Sequence, residues 1–444
     1  MRIAFAIVAV LLTFCGRSVA ADAVKWDEVL APGGGRWPDP LGKVVWRSDL
    51  KSALREAQQQ DRPVLLTLRC LPCKQCSGFD QGVLEGGDVL TPLLRQFVTV
   101  RITSASDLDL KMLPVEGFQD LDMSWWGYFL SPDARVYGVF GGRDHVSDET
   151  RISVEALANS LRRVLDHHYD PRRSTWDVDG PAPQPDGDPL TPAELPGYRN
   201  WLNGAHEEVK KQTCIHCHQV ADILRQPAID LKTFDKRRDT QVWPLPENVG
   251  ITLDRDHGLL VRKVEPRSAA DAAGMKPGDA LGMAGGRRLF GQTDLRGVLH
   301  RAPHGDTVVP IAWLRDGNVM TGDLALKEGW RTTSADWRMS ISQGNIGGDP
   351  TFFPLAASKN ERARAGVAPD AMAVKPYWGD QPILASRAGL AKRDIIVAVN
   401  GQNPNVSGRA FLVWFRMNID PGDRVRLDVV DPAGRKRQIA YVAP

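Results

Sequence analysis

Two distant stretches of this chain follow one pattern. Ser268–Arg287 reads SAADAAGMKPGDALGMAGGR, and Ile383–Gln402 reads ILASRAGLAKRDIIVAVNGQ. Each opens like a short helix, turns at a glycine, places an aspartate, and runs into an apolar strand ending in glycine. A repeat of this size constrains the C-terminal half to one strand-rich unit built twice, since like patterns of turn residues and apolar strand bury like cores. The spacing predicts these units over residues 247–328 and 338–444, each as a small β-barrel.

The N-terminal half reads differently. Asp49–Gln60 has helical spacing, and Arg62-Pro63 then leads into Val64–Leu68, an apolar run expected to be a buried strand. A helix over Asp88–Phe97 and the β-rich run FVTVRIT follow. A hairpin comes next in WWGYFLSPDARVYGVF, turning at Ser131-Pro132-Asp133. Val154–His168 closes the domain as a helix. Alternating helices and strands make residues 43–169 an α/β domain, so the fold class is multidomain, α/β followed by mainly β. Asp170–Pro196 is rich in Pro, Asp and Gly and reads as an exposed linker, with a short helical segment over 197–246.

Arg2 precedes an apolar run from Ile3 to Phe14, and Ser18 and Ala20 stand at −3 and −1 of a cut after Ala20. That is the build of a secretory signal peptide over residues 1–20, with a run too short to span a membrane stably. Lipoprotein processing before Cys15 is disfavoured because bulky Phe14 sits where a small residue is needed. The expectation is an exported, periplasmic chain with no membrane span after cleavage. Cleavage also removes Arg2 and Arg17, taking the basic count from 56 to 54 and equalling the 54 acidic residues. A neutral chain offers no electrostatic case for nucleic acid or an anionic membrane.

Five cysteines remain: Cys70, Cys73, Cys76, Cys214 and Cys217. Two tight clusters in an oxidising compartment point to redox or cofactor chemistry rather than a scattered disulfide framework. The first cluster, RCLPCKQCSG, admits two alignments. CLPCK looks like the CGPCK of thioredoxin, which would pair Cys70 with Cys73. In thioredoxin-like domains, however, the strand beginning after Lys/Arg-Pro runs about ten residues to the nucleophilic cysteine at a helix N-terminus. Counting from Pro63 reaches Cys73. On that register Cys73 attacks, Cys76 resolves one turn later, and Cys70 is a third thiol that stores or relays an oxidising equivalent. Unsatisfied N–H groups at a helix start can bring a thiol pKa from ~8.5 to ~7 or below. A structural disulfide or a thiolate metal site would use the same residues without turnover.

The second cluster, CIHCH, is the attachment pattern of haem c. Cys214 and Cys217 would bond the vinyl groups, and His218 would ligate the iron. A redox disulfide exchanging with the first cluster competes with it. So does zinc on Cys214, Cys217 and His218, with His206 or His216 as fourth ligand. A distal haem ligand would come from His206, His257, Met275 or another domain.

Three resemblances join these readings. The repeat is similar to PDZ domains of the bacterial exported type, through Ala273-Gly274-Met275, Gly278-Asp279, Ala388-Gly389-Leu390, Asp394-Ile395-Ile396 and Val399-Asn400-Gly401. Such domains take a peptide as an added strand and grip its carboxylate with backbone N–H groups. The resemblance places that loop at Val249-Gly250-Ile251 in the first copy and at Ala365-Gly366-Val367 in the second. Arg393 replaces a glycine of the pattern. No G-x-S-G nucleophile loop of an accompanying serine protease is present. FDQGVLEGGDVLTPLLRQFVTVRI resembles small exported thioredoxin-like domains, although Trp125-Trp126 stands where those place a cis-proline. The full order, with LDMSWWGYFLSPDARVYG, CIHCHQV, PLPENVGITLD and GWRTTSADWRMS, resembles bacterial exported thioredoxin-like/PDZ domain (seleno)proteins. Together these imply a thiol–disulfide oxidoreductase with a haem c site, a redox partner protein, and PDZ domains docking a protein or peptide. The alternative is a non-catalytic PDZ scaffold with a degenerate thioredoxin-like domain.

Overall fold

The computed structural model describes residues 26–444 apart from 32, 34, 40–41, 69–83, 85–86, 124, 143–152, 181–182, 184–187, 206 and 212–213. The signal peptide expected over residues 1–20 lies outside the described residues, as do Cys70, Cys73 and Cys76.

The N-terminal unit is a five-stranded mixed sheet. Its strands are β1 (Trp46–Arg47), β2 (Val64–Leu68), β3 (Val98–Ile102), β4 (Trp125–Leu130) and β5 (Val136–Gly142), in spatial order β1-β3-β2-β4-β5. β1, β3 and β2 run parallel, while β4 is antiparallel to both β2 and β5. Helix α1 (Leu50–Gln60) starts at Asp49, whose carboxylate accepts the Ser52 N–H at 2.7 Å. Its Ala53, Leu54 and Ala57 pack on Leu66, Leu68, Val98 and Val100. On the opposite face Leu65 and Phe129 meet Leu157, Leu161 and Val164 of α2 (Val154–His168). With both faces covered, β2 is buried along its whole length, which is why its sequence lacks the polar alternation of a half-exposed strand. The helix expected over Asp88–Phe97 is only the turn Thr91–Leu94. Beyond it the Gln96 and Phe97 N–H groups reach back three residues, to Leu93 and Leu94.

Asp170–Pro196 is not simply an exposed linker. Trp176 and Val178 are buried with Val29, Leu30, Met283 and Ala312, so the chain leaving α2 is pinned against the first β unit. The helical segment follows as α3 (Tyr198–Gly204) and α4 (Cys217–Asp230).

The first β unit pairs β6 (Ile251–Leu253) with β7 (Val261–Val264). It carries a second sheet in the order β11-β10-β8-β9: β8 (Ala280–Ala284), β9 (Arg287–Arg288), β10 (Thr307–Arg315) and β11 (Asn318–Leu326). Helix α5 (Gln292–Arg301) buries Leu295, Val298 and Leu299 in its core. The second β unit is a five-stranded sheet in chain order: β12 (Phe353–Ala356), β13 (Val374–Tyr377), β14 (Ile395–Val399), β15 (Arg424–Val430) and β16 (Lys436–Val442). Helix α6 (Gly408–Asn418) inserts Phe411 and Phe415 into that core. The sheets are open, which corrects the expectation of two barrels. Each helix fills one flank of its core, and among the described residues β12 and β16 stay as edges. No helix among the described residues is long and apolar enough to cross a membrane.

The repeat is visible as geometry. Gly274 and Gly389 are both left-handed, with φ of 83° and 106°. Asp279 and Asp394 are buried, and each accepts the backbone N–H three residues earlier, of Lys276 and Ala391, at 2.7 Å. An arginine then pairs with the aspartate and donates to the glycine carbonyl: Arg315 in the first unit and Arg437 in the second. Gly278 has φ 94°, whereas Arg393 does not adopt a left-handed backbone.

Candidate functional site

CIHCH sits where α4 begins. His216 is extended (φ −89°, ψ 157°), its N–H is taken by the Gln219 side chain at 2.7 Å, and its carbonyl accepts the Gln219 and Val220 N–H groups. Helix therefore starts at Cys217, with Cys214 on the entering strand of chain.

The segment is seated on the N-terminal unit. Val220 is fully buried in the same cluster as Leu68, Val100 and Trp126, and Ile215, Cys217, Ala221 and Leu224 pack against that cluster. The Ile215 N–H donates to Ser106 Oγ at 2.8 Å. Ser106 follows β3, and at that end of the sheet Leu68 pairs with Ile102 on one side and Trp126 on the other. Leu68 is the last residue of β2, two positions before Cys70 in the sequence.

The His216 and His218 rings stack with centroids 5.6 Å apart and planes 5° from parallel. Burial pushes His218 down to about 4, opposed by the charge of Asp122 and reinforced by those of His216 and Arg409. Burial lowers His216 as well. Both imidazoles are neutral near pH 7, the form that offers a nitrogen lone pair to a metal. Cys214 and Cys217 are half-buried thiols. Two thiols with two residues between them, followed by a neutral imidazole, are the attachment and ligand set of covalent haem, so the residues present fit that group. Among the described residues no three His, Cys, Asp or Glu side chains come together as a metal-ion site. Of the other ligands considered, His206 lies outside the described residues. His257 is held 3.1 Å from Arg163, and Met275 is buried in the core of the first β unit.

Beside CIHCH lies a polar node for which sequence reasoning supplied no residue. Asp120 accepts from Arg338 at 2.7 and 3.1 Å, and Asp122 accepts from Arg338 at 3.2 Å and from Ser340 Oγ at 2.7 Å. Burial opposes ionisation of Asp122, yet the Arg338 charge and the Ser340 hydrogen bonds hold its carboxyl below the usual range. Arg225 of α4 donates to the Ser340 carbonyl at 2.9 Å. The node thus ties the loop before β4, the CIHCH helix and the segment between the β units. Its only sequence trace was that LDMSWW and GWRTTSADWRMS both read as distinctive phrases.

In the first β unit, Val249 and Ile251 are buried and Gly250 has φ 88°, with Ser268 2.1 Å from where a Cβ would stand. The Gly250 N–H is used inside its own turn, to Glu247 O at 3.0 Å. Ala365, Gly366 and Val367 lie between β12 and β13, where they line a cavity of about 580 Å³. They follow β12, whereas Val249-Gly250-Ile251 leads into β6, which Ile251 opens. Thr351, two residues ahead of β12, is left-handed at φ 68°. A second cavity of about 580 Å³ opens between β12 and α6, lined by Phe353, Arg409, Leu412 and the Ser334–Gln343 segment.

Two comparisons with known proteins bear on this geometry. The family model for thioredoxin-like proteins matches residues 45–114, from β1 through β3. A search of curated proteins found no match.

Proposed function

We propose that this chain, which carries a thioredoxin-like domain, is an exported thiol–disulfide redox protein whose cysteine triplet works beside the CIHCH segment. Its two β units, read as PDZ-like, serve to dock a protein partner. One observation carries the reading. CIHCH is packed against the end of the sheet at which β2 finishes, at Leu68, two positions in sequence before the triplet begins.

In the chemistry proposed, the Cys73 thiolate attacks one sulfur of a partner disulfide and the departing partner sulfur takes up a proton. Cys76 then attacks the Cys73 sulfur and releases the second partner thiol. Two electrons and two protons pass from the dithiol to the partner, and the Cys73–Cys76 disulfide remains. Cys70 relays that disulfide onward. Haem, if attached through Cys214 and Cys217 with His218 on the iron, supplies one-electron transfer. The chain's own contribution is to keep His218 neutral and to hold the segment on the thioredoxin-like domain through Val220 and the Ile215–Ser106 hydrogen bond.

A second reading, in which Cys214 and Cys217 act as a dithiol, is favoured by the packing of Cys217 on the thioredoxin-like core. The absorption spectrum of protein made alongside a cytochrome c maturation system separates the two. Covalent haem colours the protein, survives denaturation and depends on His218. A colourless product that traps a mixed disulfide in a Cys76→Ser variant establishes the dithiol. Colourless protein that loses one metal to chelator with release of thiols marks zinc. A colourless product with no metal and no trapped disulfide defeats the proposal that the two centres work together.

A further inference from the structure

A smaller cavity, of about 260 Å³, lies where three parts of the chain meet. Residues 115–122 of the thioredoxin-like domain form one wall, and α4 contributes Ala221, Leu224, Arg225 and Ala228. Phe234, Trp243 and His300 of α5 make up the rest, with Arg338 also on its border. The charges around it are already matched. Asp120 and Asp122 share Arg338, Asp239 accepts from Arg238 at 2.6 and 2.9 Å, and Arg225 donates to the Ser340 carbonyl at 2.9 Å. Glu116 is exposed to water. A charged occupant would lose its hydration and meet no free buried counter-charge, so the cavity favours a neutral one.

What remains around it is polar and unspent. Gln119 is 2% exposed, and its amide nitrogen donates to Asp120 O at 3.2 Å, which fixes the orientation of the amide. Its Oε1 is buried with no hydrogen-bond partner among the described residues. Arg338 Nε is buried in the same condition, since both terminal nitrogens of that guanidinium are taken by the node. His300 accepts the Trp243 N–H on Nδ1 at 3.4 Å. Burial, with the Arg331 charge, pushes His300 down to about 3, so the neutral ring carries its proton on Nε2. A buried acceptor and donor left unpaired cost stability until something meets them. Trp243 is itself unusual: it is buried with φ 54°, a left-handed backbone that a bulky residue rarely adopts, and its ring stacks on His300 with centroids 4.6 Å apart. Backbone of that kind gathers at ligand clamps, where the surroundings hold it.

We propose that this cavity binds a small neutral molecule bearing a planar amide, whose N–H donates to Gln119 Oε1 and whose C=O accepts from Arg338 Nε. His300 Nε2 is a second donor for the carbonyl, and the Trp243 and Phe234 rings offer flat apolar walls to the rest of the molecule. The volume falls just below the ~300 Å³ at which drug-sized pockets begin, so the occupant is of fragment size. Its walls come from the thioredoxin-like domain, α4 and α5, so an occupant adds contacts to all three and stabilises their folded arrangement by mass action. The site uses none of the five cysteines and is independent of the thiol chemistry proposed above.

Benzamide is the probe, with benzoate, which lacks the N–H, and benzylamine, which lacks the carbonyl, as controls. Titrated into the full chain, benzamide should saturate a single site and raise the thermal unfolding midpoint, and each control should bind at least tenfold more weakly. Gln119→Met keeps the side chain's length without its acceptor and should weaken benzamide tenfold or more. Ala228→Trp fills the space from α4 and should do the same, which keeps the test decisive if Gln119→Met does not fold. A crystal structure of the full chain with benzamide should place its amide beside Gln119. Absence of saturable benzamide binding, equal binding of the three probes, unchanged affinity in Ala228→Trp, or a cavity holding ordered water alone overturns the proposal. Tighter binding of benzylamine would assign the cavity to a cation near Glu116, and of benzoate to an anion near Arg225, and either result overturns it as well.

Discussion

Arg338 and Asp120 lie 218 residues apart in the chain and meet end on, Nη1 and Nη2 of the guanidinium donating to the two carboxylate oxygens at 2.7 and 3.1 Å. Their side chains are 2% and 1% exposed. At that depth a charge left alone is costly, and a second carboxylate, Asp122, shares the same arginine. Removing one member of such a pair costs about 3–5 kcal/mol, because the partner's charge stays buried without compensation. Arg338→Met should therefore lower the midpoint of chemical unfolding sharply, and combining it with Asp120→Asn should recover part of the loss. Equal midpoints for Arg338→Met and the native chain would show that the node contributes nothing.

The cysteine register gives a chemical prediction. If Cys73 begins the helix after β2, limiting alkylation of the reduced protein near neutral pH should label it ahead of Cys70 and Cys76. Peptide mapping of the label checks this, and preferential labelling of Cys70 would restore the CLPC pairing.

Acid should weaken the packing of α2 against its surroundings. Burial pushes His168 down to about 4, with the nearby Arg173 charge adding to the effect, and burial lowers His167 too. Near neutral pH both rings are uncharged, in contact with Tyr137 at 2.9 Å and Asp179 at 2.7 Å. The unfolded chain binds a proton at each ring near pH ~6.5, well before folded His168 does. This stability is fully present above ~6.5 and is lost as pH falls toward about 4. Unfolding midpoints measured from pH 7 to pH 4 should decline, and His168→Gln should flatten the decline.

Gly138 lies at a close approach of the first β unit to the thioredoxin-like domain. A Cβ there would come 2.7 Å from Phe290 and 2.9 Å from Asp294, whose carboxylate accepts the Val139 N–H at 2.8 Å. Gly138→Val should push the units apart at a cost of about 1–3 kcal/mol. The amide of Val139 should then exchange faster with solvent while that of Leu66, deep in β2, is unchanged. A native exchange rate at Val139 would mean that the contact yields without separating.

Elements that depend on neighbours in the chain were legible in the sequence. Val64–Leu68 is apolar throughout because both its faces are covered, and Val154–His168 keeps its apolar stripe because one face lies on the sheet. The repeat was equally plain, since a left-handed glycine and a buried aspartate must recur wherever that turn recurs. The CIHCH donors were readable from spacing alone. Whatever joins distant segments was decided only in three dimensions. Composition made residues 170–196 a linker, yet Trp176 and Val178 found an apolar surface on another unit. Pattern matching offered Ala365-Gly366-Val367 as the peptide-gripping loop of the second copy, and only the fold shows that it lies between β12 and β13. Nothing near Ile215 in the sequence announces Ser106, or near Asp120 announces Arg338. These contacts exist because burying one polar group obliges the fold to bring it a partner, and the chain can supply that partner from any distance.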